Sequence, residues 1–241
     1  NSLDDMTHEL QKRISHAENF STDLVHEIRN PLTSLKSASE ILQETEDLEQ
    51  RRKLINILDH DVQRIERLIT DYSQMLKDEV ALSKEKMKKI DLKSILNSVV
   101  DDYNSIYETK RGITVKLLVS KKSEEYFIYG IENRIEQIIA NLLDNSISFS
   151  EDNKNIVVET FKDEANKVIL KVIDEGKGFK EKNTKKIFNR FYSNRPDSFG
   201  KHSGLGLNIV KNLVELHGAT ISASNNTNQK GANVEIAFPK Y

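Results

Sequence analysis

Six histidines are spread through the 241 residues, and one of them sits among residues that could do chemistry. His26 is followed by Glu27, and Asn30-Pro31 close the segment one helical turn later. On a helix His26 and Asn30 share a face, because residues four apart are neighbours. Glu27 can accept a proton from one ring nitrogen and leave the other as a nucleophile. Pro31 removes the amide that would bond the carbonyl of Glu27 and costs a helix interior about 3 kcal/mol, so any distortion falls beside His26. His8, His16, His60 and His217 have no such company and read as surface or packing residues. One histidine without a second histidine, a cysteine or a spaced carboxylate does not make a transition-metal site.

The second set of candidate residues is rich in amides and glycines. Asn141 and Asn145 are four apart and share a helix face. Their carbonyl oxygens suit Mg²⁺, which takes few protein ligands beside phosphate and water, although the pair would serve equally as a solvated polar face. Asp174-Glu175-Gly176-Lys177-Gly178 follows an apolar strand. Its glycines let a ligand approach the backbone closely, and an aspartate at a strand end can accept from an exocyclic amine. The same residues also make ordinary turns. Gly204-Leu205-Gly206-Leu207 opens a helix whose first N–H groups suit phosphate. It is not a P-loop, since no Gly-Lys-Ser/Thr follows, and it lacks the frame of the dinucleotide fingerprint. Between the last two features lies a polar segment with Phe188, Arg190, Phe191, Tyr192 and Arg195, which suits a mobile lid. The three features converge on nucleotide binding.

Two different supports must position these groups. Residues 1–90 contain no glycine and one proline, whereas residues 91–241 hold all nine glycines. The first stretch therefore reads as long helices. Leu24, Ile28, Leu32, Leu35, Ala38 and Leu42 step by three or four, and so do Leu54, Leu58, Val62, Ile65, Leu68, Tyr72 and Leu76. These are two amphipathic helices, folded into an antiparallel hairpin by the short polar stretch Glu44–Gln50. A lone hairpin buries one side of each seam, so a homodimeric four-helix bundle is expected. The lysine-rich stretch Lys84–Lys89 reads as a solvated linker, and Asp91 as the N-cap of a helix over Leu92–Tyr107. Strands are expected at Ile113–Val119, Tyr126–Tyr129, Ile156–Phe161, Val168–Ile173, Thr220–Ala223 and Val234–Phe238, with helices at Glu132–Ser148 and Leu205–Leu216. Strand pairs joined without a helix argue for a mixed sheet with helices on one face.

Composition narrows the classes. Charged residues are 31% and hydrophobic ones 37%, which fits a folded, charge-rich protein rather than a disordered one. There is no cysteine, so disulfide scaffolds, Cys–zinc sites and a cysteine nucleophile are excluded, and a reducing compartment suits the chain. Net charge is −2, without the basic excess of a nucleic-acid binder. No apolar run reaches the roughly 18–20 residues that cross a bilayer. The chain starts at Asn1, which leaves room for an upstream signal peptide or anchor.

In this order the segments resemble a bacterial two-component sensor histidine kinase, over nearly the whole chain. His26–Leu32 is similar to the H box, Asn141–Asn145 to the N box, Asp174–Gly178 to the first glycine box, Ile187–Tyr192 to the F box and Gly204–Leu207 to the second glycine box. The wording of the first and last segments is similar to the ChvG/ExoS-type sensors of alphaproteobacteria. The resemblance implies an α+β fold: an antiparallel helical hairpin forming a dimeric four-helix bundle, then a Bergerat-type (GHKL) α/β sandwich that binds ATP. It implies a helical linker from a HAMP-like region at 1–20, a dimerisation and phosphotransfer domain at 21–83, a linker at 84–90 and an ATP-binding domain at 91–241.

The resemblance also implies roles. His26 would attack the γ-phosphate, Glu27 would act as base or orienting acid, and Asn30 would position water for dephosphorylating a partner. Asn141 and Asn145 would hold Mg²⁺ and phosphates, Asp174 would take the adenine amine, and Phe149 would pack near the base. Gly176, Gly178, Gly204, Leu205 and Gly206 would shape pocket and lid, and Arg190 and Arg195 would approach the phosphates. The partner would be the receiver domain of a response regulator. The chain would be the cytoplasmic portion of an inner-membrane sensor, touching the membrane only through other segments. Two departures stand out. Many relatives carry lysine where this chain has Ser148, and Lys201-His202 replace a glycine pair before the second glycine box. The rivals are a non-catalytic scaffold and an ATPase of the same fold, and the latter generally needs an acid where Asn141 stands.

Overall fold

Where no glycine interrupts the sequence, two long helices form: α1 (Ser2–Glu44) and α2 (Leu48–Leu82). The computed structural model describes residues 2–82, 85–120, 125–181, 183–192, 204–227 and 230–240, with side chains from residue 21 onward apart from 71 and 74–82. It divides into two compact units, one helical and one α/β.

In the helical unit three residues, Thr45–Asp47, reverse the chain. Asp47 caps α2, its Oδ1 accepting from the amides of Glu49 at 2.8 Å and Gln50 at 3.3 Å. The last turn of α1 has no basic residue of its own. Arg51 reaches back from α2 and donates to the carbonyls of Leu42 and Thr45, both at 3.0 Å, which satisfies orphan acceptors at a negative helix end. The pairing is antiparallel, as Glu27 of α1 and Arg64 of α2 meet at 3.0 Å. Helix α1 runs unbroken through Pro31, and the Thr33 hydroxyl donates to the carbonyl of Arg29. Ala38, Leu54 and Leu68 are buried. Val25, Leu32, Ile55, Val62 and Ile69 stay 44–52% exposed, and they repeat every seven residues along each helix. Leu32 and Val62, two positions of the apolar seams, lie in this half-exposed row.

The first strand of the α/β unit is β1 (Lys88–Asp91), which pairs antiparallel with β3 (Phe127–Gly130). Lys88 and Lys89 were expected in the solvated linker. Only Ile90 of β1 is buried, too short a pattern to show a period of two. Asp91 does cap α3 (Leu92–Arg111), accepting from the amide of Lys93 at 3.1 Å. Gly112 ends that helix at φ 62°, a left-handed cap that favours glycine.

The main sheet contains β2 (Thr114–Val119), β4 (Asn155–Lys162), β5 (Val168–Ile173), β6 (Thr220–Asn225) and β7 (Ala232–Phe238). Their order is β2-β4-β5-β7-β6, with β2–β4 parallel and the other pairs antiparallel. Ile156, Val158, Leu170, Val172, Val234, Ile236 and Phe238 point to one face and form a core with α3, α4 (Glu132–Phe149) and α5 (Gly206–Leu216). Each such side chain contributes about 1.5–3 kcal/mol by leaving water. The opposite face is charged. Lys171 and Glu235, direct partners in the ladder, form an ion pair at 3.0 Å. The result is the expected two-layer sandwich with helices on one side of a mixed sheet.

Candidate functional site

The amides of α4 and the glycine that opens α5 come together. Asn141 gives its Nδ2 hydrogen to the carbonyl of Gln137 one turn back, at 2.9 Å, which turns its Oδ1 away from its own helix. A Cβ added to Gly206 would lie 3.3 Å from that Oδ1 and 3.6 Å from Nδ2 of Asn145. Gly206 thus faces both asparagines at the first turn of α5, where N–H groups and the helix dipole favour an anion. Leu205 is fully buried beside it. Gly204, at φ 78°, lies so close to the backbone of Phe191 that a Cβ would stand 2.8 Å from its carbonyl carbon.

The segment before α5 is anchored to the same helix. A short 3-10 turn, Thr184–Phe188, buries Ile187 and Phe188. Asn208 of α5, itself buried, donates to the carbonyl of Phe188 at 2.9 Å. Arg190 follows half-buried. Arg195, Lys201 and His202 lie outside the described residues.

Asp174 follows directly on β5 and is 6% exposed. Its Oδ1 accepts from the amides of Gly176 at 2.8 Å and Ala232 at 3.0 Å. Burial pushes the carboxyl pKa up, and these amides and the Ser146 hydroxyl oppose the shift. A carboxylate so held is a fixed acceptor with little water to compete for it. Gly176 brings the loop against the end of α4, where a Cβ would stand 2.7 Å from the carbonyl oxygen of Phe149. Phe149 itself is 36% exposed. Gly178, at φ 72°, adopts a conformation that other residues avoid.

His26 and Asn30 are exposed on α1, one turn apart, while Pro31 is buried. Glu27 is half-buried, and its Oε2 accepts from Arg64 at 3.0 Å.

Two families match these two units. Residues 17–79 match the His Kinase A (phospho-acceptor) domain, and residues 130–241 match the histidine kinase-, DNA gyrase B- and HSP90-like ATPases. The chain belongs to the sensor histidine kinases. It is 37% identical to sensor protein ChvG of Rhizobium meliloti over 236 residues, 95% of this chain and 41% of that protein. It is 33% identical to ChvG of Agrobacterium fabrum over 99% of this chain and 41% of that protein. The kinase chain thus spans less than half the length of these relatives. The crystal structure of histidine kinase ThkA in complex with the response regulator protein TrrA has the same fold, at a TM-score of 0.65 and 24% identity, over 96% of this chain and 64% of that one.

Several positions in this kinase were not legible from residue types. Arg64, the partner of Glu27, is one arginine among several on α2. Asn208 has nothing in its residue type to set it apart from any other amide on a helix. Ser148 turns its hydroxyl back onto the carbonyl of Asn145 at 2.9 Å, so it adds no donor of lysine length. His217 is a packing residue as expected: it is buried, its Nε2 accepts from the amide of Ile131 at 3.1 Å, and Nδ1–H donates to the carbonyl of Leu213 at 2.6 Å.

Proposed function

We propose that this chain phosphorylates its own His26 from ATP and passes the phosphoryl group to an aspartate of a response-regulator receiver domain. The supporting observation is the meeting of Gly206 with Asn141 and Asn145 in the unit that also holds the buried acceptor Asp174. In this reading Asp174 takes the adenine amine and Phe149 packs near the base. The first turn of α5, with Gly204 and Gly206, takes the phosphates, and Arg190 and Arg195 approach them. Asn141 and Asn145 supply amide oxygens to Mg²⁺, which neutralises phosphate charge when bound. Phosphate oxygens and water would complete its shell, as is usual for Mg²⁺.

At His26 an imidazole nitrogen forms a bond to the γ-phosphorus. The bond from that phosphorus to the bridging oxygen breaks, and ADP leaves with the electron pair. Glu27, positioned by Arg64, accepts the imidazole proton. Such transfer depends on positioning and charge neutralisation more than on covalent help. Asn30, one turn from His26, orients water for removing the phosphoryl group from the regulator.

The chain acts as a homodimer in this reading. The half-exposed rows Val25/Leu32 and Ile55/Val62/Ile69 have the seven-residue spacing that a partner hairpin buries. The chain is then the cytoplasmic catalytic part of a membrane-anchored sensor. None of the described helices is long and apolar enough to cross a membrane.

Incubation with γ-labelled ATP tests the reading. Acid-labile label on the protein, placed on His26 by mass spectrometry, is expected. Free phosphate without protein labelling would identify an ATPase instead, and neither product would identify a scaffold.

A further inference from the structure

Asp174 departs from the ladder it belongs to. Its amide donates to the carbonyl of Ala232 at 2.9 Å, continuing the β5–β7 pairing by one step. The return bond, from the amide of Ala232, goes to the carboxylate Oδ1 of Asp174 at 3.0 Å instead of to its carbonyl. The side chain has taken the place of its own backbone. The displaced carbonyl needs another donor, and Asn226, in the turn between β6 and β7, supplies one through Nδ2 at 2.9 Å. Asn226 is held in turn, its amide donating to the carbonyl of Gly231 at 3.0 Å.

Gly231 makes this approach possible. It sits at φ 131°, and a Cβ there would overlap the carbonyl oxygen of Asp174 and stand 2.6 Å from Nδ2 of Asn226. The neighbouring Asn225 stitches the next stretch of the same loop. Its side chain accepts from the amide of Phe179 at 2.6 Å and donates to the carbonyl of Phe179 at 2.9 Å.

We propose that Asn226, with Asn225 and Gly231, is a positioning element for the base pocket: it holds the Asp174 carbonyl out of the ladder, so that the carboxylate stays turned toward a purine 6-amino group. The inference rests on the reading of Asp174 as the adenine acceptor. Without the Asn226 donor, the carbonyl of Asp174 competes for the amide of Ala232, the peptide rotates, and the carboxylate loses one of its two anchors. What then suffers is the recognition of the amine rather than binding in general.

The test compares ADP with purine riboside 5′-diphosphate, which lacks the 6-amino group, by calorimetry on the whole chain. The wild type should prefer ADP by about 10-fold or more, as for a hydrogen bond to a charged group. Asn226→Ala and the isosteric Asn226→Asp, which has no donor, should bring the ratio within about 3-fold of one, chiefly by weakening ADP. A folded Asn226 variant that keeps the wild-type ratio, even with both ligands weakened equally, overturns the inference alone. A wild type without preference overturns the Asp174 reading and the inference with it. If neither Asn226 variant folds, Asn225→Ala carries the test, with a smaller drop expected; an unchanged ratio in that folded protein also counts against the proposal.

Discussion

The two units hold their chemistry in opposite ways. The hairpin keeps His26 and Asn30 on the outside and leaves a row of apolar residues half exposed beside them. The α/β unit keeps Asp174 inside, held by two backbone amides and a hydroxyl, and packs the apolar side chains of one sheet face into its core. A nucleophile that must meet both a nucleotide and a second protein needs access more than enclosure. An acceptor that must recognise one amine needs a fixed direction, and direction comes from a committed backbone. In the proposed reading, reactivity and recognition are separable, each resting on bonds within its own unit.

The largest expected effect breaks the chain along that line. His26→Gln removes the proposed nucleophile and leaves the residues of the α/β unit unchanged, so protein labelling from γ-labelled ATP should fall to background. Nucleotide affinity, measured by calorimetry, should stay within about 2-fold, since substitutions that share no partners act independently. A labelled His26→Gln protein would place the nucleophile elsewhere. Asp174→Asn probes the other side. An asparagine can keep Oδ1 as acceptor for Gly176 and Ala232 and give its NH₂ to Ser146. It would then present a donor to the adenine amine, which is also a donor, and ADP affinity should fall about 10- to 100-fold. Burial raises the Asp174 pKa, so ionising this group costs more in the folded state than in the unfolded chain. The neutral amide escapes that cost, and the nucleotide-free protein should melt higher at pH 7. A lower melting temperature would mean that the carboxylate stabilises the fold.

Legibility from sequence followed the range of the interactions. The strand Val168–Ile173 was readable to the residue because its neighbours in sequence carry the pattern, and the hairpin followed from the spacing of its apolar residues. The asparagines of α4 and the glycine clusters could be found because each is a motif within a few residues. Strand β1 could not, since it has a single buried side chain. Nor could the bond from Asn226 to Asp174, which spans 52 positions, or the one from Arg64 to Glu27, which spans 37. Neither partner has a residue type that singles it out; only the folded backbone selects it.

A smaller effect sharpens the comparison inside the hairpin. Arg64→Ala leaves Glu27 half-buried without its ion-pair partner. The labelling rate should drop several-fold, about 0.5–1.5 kcal/mol of barrier for a partly exposed charge-assisted bond. ADP affinity should not change, and Arg64→Lys should recover part of the rate. Loss of nucleotide binding in Arg64→Ala would show that the two units are not separable.

The smallest effect concerns stability and belongs to the α/β unit alone. Burial lowers the pKa of His217, against the pull of its bond to the Leu213 carbonyl. Its Nε2 accepts from the amide of Ile131, a bond that a protonated ring cannot make. The folded state therefore binds a proton here less readily than the unfolded chain does, where an imidazole titrates near about 6.5. Stability from this group is complete above that value and is lost as the pH falls below it. The melting temperature should fall between pH 7 and pH 5 more steeply in the wild type than in His217→Gln, which can keep an acceptor and a donor but has no proton to gain. Equal slopes for wild type and His217→Gln would remove His217 as the acid-sensitive point of the domain.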